Sequence, residues 1–185
     1  MDKTLFAILL GGVLLNNYAL QSFLGVTTFL GASRDTKKAT AMGIAVTIVM
    51  TLSGFLTWLV NNFVLAVFGL EYLQTLVFMA VILVVAYLVG AAAKLVVKKP
   101  LGLFFPLVAL NSAVLGVTLN NAAEGYSLLQ ALVSSVAVGL GFLLAMVVFC
   151  GVRSKIEEQN VPKAFRGLPI QLMAASIVAL ALFAF

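Results

Sequence analysis

Apolar runs fill most of this chain, and short clusters of charged residues separate them, leaving uncharged stretches over roughly residues 5–30, 39–60, 73–93, 101–119, 127–152 and 168–185. Each run approaches or exceeds the ~20 residues that carry an α-helix across the hydrocarbon of a bilayer. The pattern predicts an all-α membrane protein of six transmembrane helices, a single integral membrane domain over residues 1–185 with no linker and no second domain. A cleaved signal peptide does not fit the first run, which is long and carries Asn16, Asn17 and Gln21.

The informative positions are those a bilayer rejects. Span one holds Asn16, Asn17, Gln21, Ser22, Gly25, Thr27 and Thr28, and span four holds Pro106, Asn111, Ser112, Gly116 and Thr118. Leu24-Gly25-Val26-Thr27 recurs as Leu115-Gly116-Val117-Thr118, each copy a few residues after an asparagine. Three spans separate the copies, and an odd offset inverts the second across the membrane. That arrangement predicts two inverted three-helix repeats, with spans one and four broken into half-helices that meet at mid-membrane. The candidate residues at these breaks are Asn16, Asn17, Gly25, Thr27, Thr28, Asn111, Ser112 and Gly116. The competing reading is plain helix packing, in which small residues let backbones approach. It accounts for Gly11, Gly12, Gly43, Ser53, Gly54, Gly90, Gly139 and Gly141 better than for three amides buried at membrane depth.

Composition narrows the chemistry. Apolar residues make up 63% and charged residues 9% of the chain, a balance far from that of soluble domains. The net charge of +5 would raise nucleic acid as a partner in a soluble protein. Here the basic residues sit in short loops without interleaved aromatics, where they record topology instead. Arg34, Lys37, Lys38, Lys94, Lys98, Lys99, Arg153, Lys155, Lys163 and Arg166 fall in alternate loops, against Lys3, Glu71 and Glu124 on the other face. The positive-inside rule then places both termini outside the cytoplasm. The expected partners include lipid and exclude nucleic acid.

With no histidine and Cys150 as the single cysteine, the chain closes no disulfide and builds no ordinary metal centre by itself. No ionisable side chain falls inside a span, so a proton relay is missing. Neutral amides, hydroxyls and freed carbonyls remain able to coordinate a hard cation such as sodium.

Several ordered segments resemble one family. They are Asn16-Asn17-Tyr18-Ala19-Leu20-Gln21-Ser22-Phe23-Leu24-Gly25, Phe29-Leu30-Gly31, Lys38-Ala39-Thr40-Ala41-Met42-Gly43 and Glu71-Tyr72-Leu73-Gln74-Thr75-Leu76-Val77-Phe78. Further along come Phe105-Pro106-Leu107 with Asn111, Ala113-Val114-Leu115-Gly116-Val117 and Val161-Pro162-Lys163-Ala164-Phe165-Arg166-Gly167. Together they resemble the RnfA-type subunits of the Rnf ion-translocating electron-transport complex, which are related to subunits D and E of the sodium-translocating NADH:quinone reductase. The resemblance covers essentially the whole chain.

It implies a six-helix subunit of inverted repeats in a bacterial or archaeal cytoplasmic membrane, coupling electron transfer to sodium or proton translocation without a self-contained catalytic site. The implied partners are an RnfE-like homologous membrane subunit of opposite topology, with flavin-binding and iron-sulfur subunits. The implied cofactor is a 2Fe-2S cluster at mid-membrane, shared with the homologous subunit; cysteines from both breaks hold it.

This chain departs from that pattern. It reads Gly25-Val26-Thr27-Thr28-Phe29 and Asn111-Ser112-Ala113, so Thr27 and Ser112 stand where the family has its cluster cysteines. Hydroxyls do not replace the thiolates such a cluster requires. The expectation is a subunit that lacks its own cluster ligands and binds no cofactor alone. From another class, the same fold would suit a small secondary transporter or channel without redox work.

Overall fold

The computed structural model describes residues 5–15, 24–25, 28, 36–97, 108–156 and 161–183. Those residues are helical or in turns, with no strand among them. Helix α1 covers Leu5–Leu10 and widens into a π-helical turn over Gly11–Leu15. Helix α2 covers Thr36–Val60 and α3 covers Gln74–Val97. Helix α4 covers Ser112–Ala123, α5 covers Leu128–Ser154 and α6 covers Leu168–Phe183.

Three helical stretches are long and apolar enough to cross a membrane: Thr36–Phe68, Glu71–Ala92 and Leu128–Ser154, with Leu168–Ala181 shorter. The boundaries differ from the apolar runs for local reasons. The second run does not stop at Val60. Asn62 Nδ2 donates back to the Trp58 carbonyl at 3.1 Å, and the chain continues through a π turn over Asn61–Leu65 to Phe68. Gly69, at φ 64°, ends it in the left-handed region that glycine enters without steric cost. The fourth run is interrupted: the described helix begins only at Ser112 and continues past Leu119 to Ala123. Ser127 opens α5 with a capping box, its side chain taking the Gln130 N–H while Gln130 reaches back to the Ser127 N–H.

Helices α2 and α5 form the antiparallel centre of the bundle, and small residues set their spacing. A Cβ added at Gly43 would stand 2.9 Å from Leu143 Cγ, and one at Gly139 would stand 2.7 Å from Thr47 Cγ2. Gly54 lies against Ser135 in the same seam. Helix α1 docks on the other side of α5, where Gly12 packs on Ala137 and Gly141 meets the Gly12 carbonyl. With lipid on the outside there is little hydrophobic drive between helices, so such close approach supplies much of the packing. Met42, Val46, Met50, Val114, Phe142, Met146 and Phe149 are buried between the helices. Phe6, Phe63, Phe68, Tyr72, Leu88 and Leu180 lie exposed, an outward apolar surface suited to lipid or neighbouring spans.

Candidate functional site

The interruption before α4 has a specific construction. Val108 and Ala109 are helical, Leu110 turns, and Asn111 is extended at φ −76°, ψ 113°. Asn111 then caps the half-helix, its Oδ1 accepting from the Ala113 N–H at 2.9 Å. The helix thus restarts on an amide that would otherwise be stranded among buried side chains. Asn111 is 2% exposed, and its Nδ2 has no partner among the described residues.

Gly25, one of the candidate residues of the first run, comes to the same place. Gly25 adopts φ +77°, and its N–H donates to Ser112 Oγ at 2.8 Å. A Cβ on Gly25 would stand 2.6 Å from Asn111 Oδ1 and 2.8 Å from Phe142 Cε2. Glycine is therefore required twice here, by its dihedral angle and by the closeness of Asn111. Thr28 is fully buried nearby in sequence. Of the eight candidate residues, the structure brings Gly25, Asn111 and Ser112 together. Gly116 lies one turn into α4 and is half-buried, while Asn16, Asn17 and Thr27 fall outside the described residues.

The donor set at this junction does not fit a 2Fe-2S cluster. Such clusters take soft thiolates, and Ser112 presents a hydroxyl oxygen already accepting from Gly25. Cys150 is buried near the end of α5, with Sγ 3.6 Å from Thr36 Oγ1. That places it at the far end of the α2–α5 seam from Gly54 and Ser135.

A second polar cluster was not singled out from the sequence. A cleft of about 70 Å³ opens between the end of α2, the end of α4 and the turn before α5, lined by Thr57, Trp58, Asn61, Thr118, Asn121 and Tyr126 among others. Trp58 Nε1 donates to the Tyr126 carbonyl at 2.8 Å, and Gln74 Nε2 donates to Asn61 Oδ1 at 3.0 Å, tying the rim together. The missed signal was a pair of dipeptides, Asn61-Asn62 and Asn120-Asn121, one just past the end of each of two apolar runs. They look like loop residues until the helices are seen to continue through them.

Comparison with known proteins gives one consistent answer. A family model described as "Rnf-Nqr subunit, membrane protein" matches residues 5–185. The A-type subunit of an ion-translocating oxidoreductase complex from Syntrophotalea carbinolica is 44% identical, the match covering 99% of this chain and 96% of the relative. The A-type subunit of a Na(+)-translocating ferredoxin:NAD(+) oxidoreductase complex from Acetobacterium woodii is 38% identical over 98% of this chain and 96% of its own length. A third A-type subunit, from the ion-translocating oxidoreductase complex of Edwardsiella ictaluri, is 40% identical over 96% of this chain and 94% of its own length.

Proposed function

The chain belongs to the Rnf-Nqr family of membrane subunits, and on that premise we propose that it serves as the A-type subunit of a redox-driven ion translocase. In that role it is one membrane component of a machine that couples electron transfer to ion movement. The observation that carries this reading is similarity along nearly the full length of both chains to relatives that bear that name.

The six spans form a single membrane domain of two inverted repeats. Two pairs of contacts support this. Gly43 packs on Leu143 while Gly139 packs on Thr47, and each glycine lies one helical turn before the other's partner. Exchanging the halves of the chain maps one contact onto the other. The helix neighbours exchange in the same way: α1 docks on α5 as α4 docks on α2, and α3 on α2 as α6 on α5. A rotation axis in the membrane plane produces this pairing.

The Gly25–Ser112 junction then lies where the two half-helix breaks cross. A protein with amides and loosened backbone at that depth requires cover, because unsatisfied polar groups are costly in hydrocarbon. A homologous membrane subunit of opposite topology supplies it, beside the flavin-binding and iron-sulfur subunits of the complex. This chain contributes the crossed breaks and the helix scaffold but no thiolate to a shared cluster. It sits in the bacterial cytoplasmic membrane with both termini on the outer side. The alternative of a free-standing transporter or channel makes a different prediction about company. Affinity purification of the tagged chain from native membranes distinguishes them: the reading expects co-purification with flavin-containing subunits and a homologous membrane subunit. Recovery of the chain alone from intact, folded preparations contradicts it.

A further inference from the structure

We propose that the cleft at the end of α2 and α4 is a binding site for a hard monovalent cation such as sodium, taken up through neutral oxygens of Asn121, Thr57 and Thr118.

Asn121 is the key residue. It is 5% exposed, and its Nδ2 donates twice, to the Ala131 carbonyl at 3.3 Å and to Ser135 Oγ at 3.2 Å. Those bonds fix the orientation of the amide, because a carbonyl oxygen can only accept and the group facing Ala131 must be the nitrogen. Asn121 Oδ1 is left buried and without a partner among the described residues, on a residue that lines the cleft. A buried amide oxygen so orphaned has lost its hydration without compensation unless something fills the place.

The neighbouring groups are spent in the same direction. Thr57 Oγ1 donates to the Ser53 carbonyl at 2.6 Å, Thr118 Oγ1 donates to the Leu115 carbonyl at 2.9 Å, and Ser135 Oγ donates to the Ala131 carbonyl at 2.8 Å. Each hydroxyl proton is committed to its own helix. What Thr57 and Thr118 have left to offer the cleft is lone pairs. The indole N–H of Trp58 is likewise committed, to the Tyr126 carbonyl.

With the Thr57, Thr118 and Trp58 protons committed and the Asn121 oxygen bare, this side of the cleft suits a cation better than an anion. No lysine or arginine lines it, and neither does a carboxylate. Hard cations take oxygen ligands, and a divalent ion would leave two charges uncompensated in a neutral pocket, so a single charge is the better match. The cleft volume of about 70 Å³ exceeds the roughly 10–15 Å³ that a single water needs on the same measure, leaving room for an ion with part of its hydration. The cleft also lies at the end of the bundle opposite Lys37, Lys38 and Arg153, since α2 and α5 run antiparallel with Thr36 beside Cys150 and Gly54 beside Ser135. Among the described residues no basic side chain lines the cleft to oppose the ion.

The test uses the complex, or the full chain in lipid nanodiscs, without redox turnover, so its outcome is separate from that of the electron-transfer reading. Sodium chloride is titrated against choline chloride at constant ionic strength, with thermal unfolding and 23Na relaxation as readouts. The wild type is expected to show a saturable, sodium-specific rise in unfolding temperature. Asn121→Ala and Thr57→Val should weaken it by at least about tenfold, the equivalent of one lost ligand. Asn121→Asp would set an acceptor oxygen against the Ala131 carbonyl, so Thr57→Val decides the matter if Asn121→Ala fails to fold. A folded wild type that treats sodium and choline alike, the result of a cleft that holds water only, overturns the proposal. So does a sodium response unchanged in a folded Thr57→Val.

Discussion

The Gly25 N–H donates to Ser112 Oγ across 2.8 Å, joining residues 87 positions apart in the chain. This bond ties the turn at Gly25 to the start of α4, beside the interruption at Asn111. Gly25→Ala is expected to be severe. It forces an L-residue to φ +77° and drives a Cβ to 2.6 Å from Asn111 Oδ1. Left-handed strain and overpacking together predict a loss of about 2–5 kcal/mol. Reversible unfolding in mixed micelles measures it, with Gly125→Ala as a reference for strain alone, since Gly125 has φ +62° and no neighbour within 4 Å.

Ser112→Ala removes the acceptor and leaves the Gly25 N–H unpaired, at a cost of about 1–3 kcal/mol. Ser112→Thr, which keeps the hydroxyl, is expected to recover part of that loss. Because the junction is held by a hydroxyl and not by thiolates, neither Ser112→Ala nor Thr27→Val should change the iron content of the assembled complex. Loss of a 2Fe-2S signal by electron paramagnetic resonance in either variant would make these positions cluster ligands after all.

Asn111→Leu makes span four more hydrophobic but deletes the cap that accepts from Ala113. The expected cost is about 1–2 kcal/mol in stability, seen as reduced recovery of assembled complex at normal membrane insertion. Ser53→Leu serves as the comparison for crowding, since Ser53 is fully buried in α2 and its Oγ has no partner among the described residues.

The orientation of the chain has its own readout. The basic residues at the start of α2, the end of α5 and before α6 share one side, so a periplasm-dependent reporter fused after Phe185 should be active and a cytoplasm-dependent one silent.

Much of this was legible in the sequence because a bilayer is an unforgiving solvent. Asn111 and Ser112 stand out in an apolar run for the same reason that the structure breaks the helix there. Gly25 was singled out from the recurrence of Leu24-Gly25-Val26-Thr27, but its counterpart Gly116 takes no part in the contact with Ser112. The seam glycines Gly43, Gly54 and Gly139 read as packing residues and pack. What escaped was Asn121. Asparagine just past an apolar run signals a loop by composition, and nothing local reveals that α4 continues to Ala123 and delivers that amide against Ser135 on α5. Tertiary contacts decide such a position, and a residue pattern does not contain them. The second span was underestimated likewise, since Asn61 and Asn62 sit inside a helix that Asn62 helps continue by bonding back to Trp58.

The central claim, that this chain is a working membrane component of a redox-driven ion translocase, is tested most directly in inverted membrane vesicles from its native host. Reduced ferredoxin and NAD+, the pair in the name of the Acetobacterium woodii complex, are added, and 22Na+ uptake and the pH gradient are both followed in the wild type, in a strain deleted for this chain, and in the deletion strain complemented with wild type or Gly25→Ala. The account predicts donor-dependent uptake of sodium or protons that disappears on deletion, returns with the wild-type chain and fails to return with Gly25→Ala. Donor-dependent uptake that persists at the wild-type rate without this chain would contradict it.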